Sequence, residues 1–111
     1  MSSEYTQKDQ RLGSALQNLA GEYVAVEANR DSMITITRVE VTDRGKRAMI
    51  FFTVLPDEQA LKALDFLKRK RNDFRRFVTT KKIMGFAPRV DFEIDYGEKN
   101  RQRMDELSRE S

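Results

Sequence analysis

The sequence predicts a single α+β domain in the order helix, strand, strand, helix, helix, strand, with a three-stranded sheet and the helices packed on one face. Three stretches space their apolar residues three and four apart, as a helix with one buried face does. Three others follow the alternation of a strand. The first two of these are joined by turn chemistry short enough for a hairpin. A chain of 111 residues is most simply one domain with its own core. The expected boundaries are a flexible leader over residues 1–8, the domain over 9–95, and a charged tail over 96–111 with room for a short helix.

The first helix is expected from about Asp9 to Ala28. Leu12, Leu16, Leu19, Tyr23 and Val26 form one stripe, with Gln17, Asn18 and Glu22 on the wet side. Three heptads are not sustained, so the stripe serves the core in preference to a coiled-coil partner. Gly13 and Gly21 each cost up to about 1 kcal/mol relative to Ala, so packing must hold this helix. Asn29 to Ser32 read as a turn.

Residues Ile34 to Val41 are β-branched and alternating. Ile34 and Ile36 are out of phase with Val39 and Val41, which a bulge near Thr37-Arg38 explains. Asp43-Arg44-Gly45-Lys46 supplies the turn, with Gly45 free to take positive φ. In the next strand, Ala48, Ile50, Phe52 and Val54 share one face. Met49, Phe51 and Leu55 lie on the other, as in a strand covered largely on both sides.

Pro56-Asp57-Glu58 open the second helix, since Pro suits a first turn and acids suit the positive end of the helix dipole. Its buried face is Leu61, Leu64 and Leu67 with Ala60 and Ala63. A break is expected in Lys68-Arg69-Lys70-Arg71-Asn72, from charge repulsion and from Asn72 in left-handed geometry. The third helix runs from Asp73 to about Lys82 on the face Phe74, Phe77 and Val78, and Gly85 and Pro88 close the segment. Val90, Phe92 and Ile94 then alternate with Arg89, Asp91, Glu93 and Asp95 in a half-buried strand. Met104 and Leu107 would dock the final short helix.

Charge is unevenly placed along this frame. From Lys68 to Lys82 there are eight basic residues against one acid, Asp73, a net +7. The whole chain carries only +3, so the other 96 residues sum to −4. Such concentration is the footprint of a polyanion-binding surface. A solvated helix face is the bland alternative, but solvated faces usually mix signs. Phe74 and Phe77 could stack on bases, yet their helical spacing favours the core. Asp91, Glu93 and Asp95 share a strand face and could hold Mg²⁺, yet Arg89 leads the same row and a solvated face explains it as well.

With no His and no Cys, the commonest general base, metal ligand and thiol nucleophile are missing. No phosphate-cradling Gly-rich loop is found either. No catalytic site, metal or cofactor is therefore expected. The first ten residues lack the apolar run of a signal peptide, and Ala48 to Leu55 is too short to span a bilayer. These features point to a soluble cytoplasmic protein with no membrane partner.

The order of elements, with basic residues at the joint of the two middle helices, is similar to a KH-like (type II) domain, where that joint grips a nucleic-acid backbone. More specifically, the chain from Leu12 to Leu107 resembles the ribosome-binding factor A family. The likeness lies in Ile34 to Thr42, in Ala48 and the strand it opens, in Arg75, in Pro88 ahead of Val90-Asp91-Phe92, and in Tyr96-Gly97. Two departures stand out. Lys70-Arg71-Asn72 replaces the family's Ala-x-Gly kink, and Ile83-Met84-Gly85-Phe86 stands where the family tends to place arginines.

The resemblance implies a non-catalytic bacterial assembly factor. It would be a monomer that docks on 16S ribosomal RNA of the free or immature 30S subunit and leaves before translation. The residues expected to contact RNA are Lys68, Arg69, Lys70, Arg71, Asn72, Arg75, Arg76, Lys81, Lys82 and Arg89. The competing reading is a protein-interaction module whose basic face meets an acidic partner.

Overall fold

The structure is a computed structural model that describes residues 7–27 and 32–110. The chain runs α1 (Gln7–Glu27), β1 (Met33–Thr42), β2 (Arg47–Leu55), α2 (Ala60–Arg69), α3 (Arg71–Lys81), β3 (Arg89–Ile94) and α4 (Tyr96–Glu110). β2 is central, antiparallel to β1 and parallel to β3. Residues 1–6 of the expected leader and residues 29–31 of the expected turn lie outside the described residues, while Gln7 and Lys8 open α1. Among the described residues, no helix is long and apolar enough to cross a membrane.

The core lies between the helices and one face of the sheet. Ala48, Ile50, Phe52 and Val54 of β2 and Val90, Phe92 and Ile94 of β3 point into it. Leu16, Leu19, Ala20, Tyr23 and Val24 of α1 cover them, with Ala63 and Leu67 of α2 and Phe74 and Val78 of α3. Three apolar expectations fail at element ends. Val26, Leu61 and Leu55 are 78%, 72% and 61% exposed; Val24 and half-buried Phe66 take the inward positions on the two helices. The outer face of β2 is only half covered, with the Arg38 guanidinium 3.7 Å from the Phe51 ring centroid.

The bulge falls where the broken alternation puts it. Ile36 pairs with Phe52 and Arg38 with Phe51, leaving Thr37 as the extra residue. Its freed groups are satisfied from two sides. Gln17, half-buried and not on the wet side, donates to the Thr37 carbonyl at 3.3 Å. The Thr37 hydroxyl donates to Asp95 Oδ2 at 2.6 Å, and Arg38 Nε lies 3.3 Å from the same oxygen. In the hairpin turn Asp43, Arg44 and Gly45 all have positive φ. At Gly45 the φ of 86° is what favours glycine, since a side chain there would meet Leu12 only at ordinary contact distance, 3.6 Å.

Asp95 was expected on a solvated strand face; it is 3% exposed. Its Oδ1 accepts the Glu98 N–H at 3.0 Å, so it caps α4 as well as pinning the bulge. Burial alone would raise its pKa. The Thr37 hydroxyl, the Glu98 N–H and Arg38 outweigh burial and hold it below the usual carboxylate range. α4 spans 15 residues, longer than the short helix expected, and Met104 and Leu107 are 68% and 60% exposed, so they do not dock it.

The second helix begins after a short turn, because Pro56 to Gln59 close a single 3-10 turn before α2 starts at Ala60. The break between α2 and α3 is one residue long and is made by Lys70, not Asn72. The Lys70 N–H bonds the Phe66 and Leu67 carbonyls, while its own carbonyl accepts the Phe74 N–H. Its φ of −96° and ψ of 7° lie in the bridge region, open to any L-residue. The joint therefore requires neither Gly nor Asn. Asn72 sits in the first turn of α3, and left-handed geometry appears at Lys82 (φ 55°, ψ 31°), which ends α3.

Two outcomes follow. Asn72→Gly is expected to lower stability by about 0.2–0.4 kcal/mol, the gap between Asn and Gly inside a helix, whereas Lys82→Gly raises it by about 0.5–1 kcal/mol. Urea unfolding of the two variants checks this; a stabilising Asn72→Gly would return the left-handed residue to the joint. The second outcome concerns Asp95, whose folded pKa lies below its unfolded value. Its contribution is full above the unfolded carboxylate range of about pH 4 and is lost as pH falls through the folded value. The stability gap between wild type and Asp95→Asn should thus be widest near neutral pH and close in acid.

Candidate functional site

The basic residues of the middle helices are displayed because α3 is tightly amphipathic. Phe74 is fully buried and meets Tyr23 at 5.3 Å and Phe92 at 5.8 Å between ring centroids, both edge-on. Phe77 leans on Tyr23 at 5.4 Å. With these rings turned inward, Arg71, Asn72 and Arg75 emerge on one flank. Together with Lys68, Arg69 and Arg89 they line an open groove of about 620 Å³. Six of the ten expected contact residues are thus brought together.

The groove has a structural counter-charge in Asp91. β3 is an edge strand, so long side chains from the helical layer can reach round to it. Lys68 Nζ lies 2.9 Å and Arg71 Nη1 3.3 Å from Asp91 Oδ1. Burial acts to raise the Asp91 pKa, but the hydrogen bonds from Lys68 and the Phe92 N–H and the charge of Arg71 hold it below its ordinary value. Arg71 Nε also donates to the Lys68 carbonyl at 3.0 Å, so its guanidinium is fixed across the end of α2.

Arg75 is partly committed to the fold. Its Nε donates to the Pro88 carbonyl at 3.0 Å and its Nη2 to the Ala87 carbonyl at 3.1 Å, tying α3 to the segment that enters β3. The end of the guanidinium, Nη1 and the second hydrogen of Nη2, has no partner among the described residues.

The remaining four residues stand apart. Lys70 lies 5.8 Å from the Phe66 ring. Arg76 pairs with Asp73 at 3.3 Å, and Asp73 accepts the Tyr23 hydroxyl at 2.5 Å, so this pair faces α1. The Tyr23 hydroxyl is raised well above its usual range, by burial first and by Asp73 second. Asp73 is correspondingly lowered, chiefly by that hydrogen bond. Lys81 lies over the Phe77 ring at 4.9 Å and pairs with Glu22 at 3.5 Å. Lys82 is exposed at the end of α3.

Sequence reasoning gave Asp91 no part in the basic site. The available signal was its place two residues after Arg89 on the strand that follows the basic helices. Glu93 and Asp95 do not join it in one cluster, since Asp95 is consumed by the bulge and the cap of α4. Among the described residues no group of three or more acidic, His or Cys side chains could hold a metal ion.

Comparison with known proteins bears on this geometry. A family model described as Ribosome-binding factor A matches residues 8–108. A ribosome-binding factor A from Trichlorobacter lovleyi is 39% identical over 82 residues, covering 73% of this chain. Another from Tropheryma whipplei is 34% identical over 111 residues, covering 94% of this chain. The chain spans 67% and 56% of those two relatives' own lengths. The crystal structure of ribosome-binding factor A from Thermus thermophilus superposes with a TM-score of 0.65 over 77% of this chain and 93% of that one. At 17% identity this likeness speaks for the fold alone.

The Arg75 clamp generates a stability prediction. Lys carries one nitrogen where Arg presents two to the paired carbonyls, so Arg75→Lys should cost about 1–2 kcal/mol through the lost charged hydrogen bond. Arg69→Ala, at a side chain 70% exposed and paired with Asp65, should stay within about 0.5 kcal/mol. Equal melting temperatures for wild type and Arg75→Lys would show that the clamp contributes nothing to the fold.

Proposed function

The chain belongs to the ribosome-binding factor A family, and from that premise we propose that it is a non-catalytic cytoplasmic factor that docks on 16S ribosomal RNA of the free or immature 30S subunit and assists its late maturation. The observation that carries this reading is the convergence of Lys68, Arg69, Arg71, Asn72, Arg75 and Arg89 on one open groove. Five cations share it; Lys68 and Arg71 meet Asp91 from the strand beside them, and Arg69 meets Asp65 of its own helix.

The chemistry suits a phosphate backbone in a fixed shape. Lysines act as point charges, whereas a guanidinium presents a planar fork to phosphate oxygens. Arg71 is oriented by Asp91 and the Lys68 carbonyl, and Arg75 by two carbonyls, so both forks are held before RNA arrives. Preorganised forks favour one backbone path over others of equal charge. That is what a factor needs if it distinguishes an immature RNA site from a finished one, since phosphates are present in both. Lys81, Lys82 and Arg76 lie beyond the groove and would add attraction without shape.

Affinity for small-subunit RNA should fall linearly with log salt, by about 0.7–0.9 in log K per phosphate neutralised. Arg71→Ala should flatten that slope by roughly one contact. In cell extracts the protein should sediment with free small subunits or their precursors and be depleted from polysomes. Absence from every ribosomal fraction, or a slope that ignores Arg71→Ala, contradicts the proposal.

A further inference from the structure

A second concavity is lined in part by the residues that immediately precede the segment Arg75 clamps. It is a cleft of about 480 Å³ between the first turns of α1, the hairpin turn after β1, and residues 83–86. Its walls are apolar, with Leu12, Ile83 and Phe86 among them, and Ile83 and Phe86 are 60% and 63% exposed. Its rim is basic, with exposed Lys8, Arg11 and Arg44. The one acid among its described lining residues, Asp9, is buried and already engaged within the fold.

This combination is unusual for a surface that only meets water. Leaving two large apolar side chains exposed side by side forgoes roughly 1.5–3 kcal/mol for each that could be buried. The basic rim disfavours a cationic occupant by charge and favours one that carries negative charge beside its apolar part. An aromatic ring set in a basic groove is the arrangement that receives an unpaired nucleobase, with the ring taking the base and the cations its flanking phosphates. The cleft and the basic groove are linked by a short stretch of chain, since Phe86 lines one and Arg89 the other. The Arg89 N–H donates to the Lys46 carbonyl at 2.9 Å, and Arg75 holds Ala87 and Pro88, so the intervening chain is pinned at both ends. Phe86 and Arg89 are three residues apart, at most about 10 Å of extended chain. The apolar run Ile83-Met84-Gly85-Phe86 also stands where the family resemblance leads one to expect arginines.

We propose that this cleft is a subsite for an unpaired base of single-stranded RNA, stacked on Phe86 and flanked by phosphates on Lys8, Arg11 and Arg44, next to the backbone held in the basic groove. The proposal rests on the RNA-docking reading above and adds to it a preference for unpaired RNA.

The test is fluorescence anisotropy with two labelled RNAs, a single strand of about ten nucleotides and a blunt hairpin of equal charge. Phe86→Ala should weaken binding of the single strand by about 5- to 100-fold, the range of one lost stacking contact, and leave the hairpin within about twofold. The salt slope should not change, because no phosphate contact is removed. Phe86→Trp should retain the single-strand preference, and both variants should melt with the wild type because Phe86 is exposed. Equal weakening of both RNAs overturns the proposal. So does an unchanged single-strand affinity while Arg71→Ala weakens both, a result that leaves the docking reading standing. Loss of small-subunit association by Phe86→Ala with RNA affinity intact also overturns it, assigning the cleft to a protein side chain. Failure of the wild type to bind either RNA removes the docking reading itself.

Discussion

Burial of Phe74 fixes how the helical layer meets the sheet, and the placement of every basic side chain follows from it. The ring is in edge contact with Tyr23 of α1 and Phe92 of β3, so one side chain joins three elements. Truncating such a ring typically costs about 3–5 kcal/mol, a large share of the roughly 5–15 kcal/mol that holds a domain together. Helical geometry then leaves little choice. With Phe74 and Val78 inward, Arg71 and Arg75 project towards β3 and Asp73 towards Tyr23. The groove is thus a consequence of the core, and it inherits the rigidity of the core.

Gathering this much positive charge has a cost that the visible ion pairs do not remove. Arg69 with Asp65, Arg76 with Asp73 and Lys81 with Glu22 are exposed pairs, each worth at most about 1 kcal/mol. Their disposition is more informative than their strength. Arg76 and Lys81 are drawn towards α1 and Arg69 to its own helix, while Lys68 and Arg71 converge on the single carboxylate of Asp91. Two guanidiniums are further held by carbonyl oxygens, which orient them without neutralising them. The arrangement keeps the charge and fixes its geometry, as expected where the counter-charge arrives with a ligand.

The fold was largely legible because alternation and helical period are set by which face is buried, and a buried face runs through α1, α2, α3 and all three strands. The bulge at Thr37 could be read because a single inserted residue reverses the phase of Ile34 and Ile36 against Val39 and Val41. Helix and strand ends were less legible. Val26, Leu55 and Leu61 continue a pattern in the sequence, but each lies at an element end, where the core no longer covers it. Lys70 illustrates a different limit, since bridge-region geometry carries no residue signature while left-handed geometry suggests Asn or Gly. For the groove, the charge run marked the segment that lines most of it, yet the roles of Asp91 and Asp95 depend on neighbours 23 and 58 positions away. No local pattern encodes such partners.

The central claim is that the groove between α2, α3 and β3 meets RNA through side chains fixed beforehand by the fold. Titrating the labelled protein with a small-subunit RNA fragment while following backbone amide and arginine Nε–H resonances tests it most directly. The account predicts that the largest shifts cluster at Lys68 to Arg75 and at Arg89. The Arg71 and Arg75 Nε–H signals should be slow to exchange already in the free protein, because both are hydrogen-bonded. Shifts confined to the outer face of β1 and β2, with the groove signals unmoved at saturation, would contradict it.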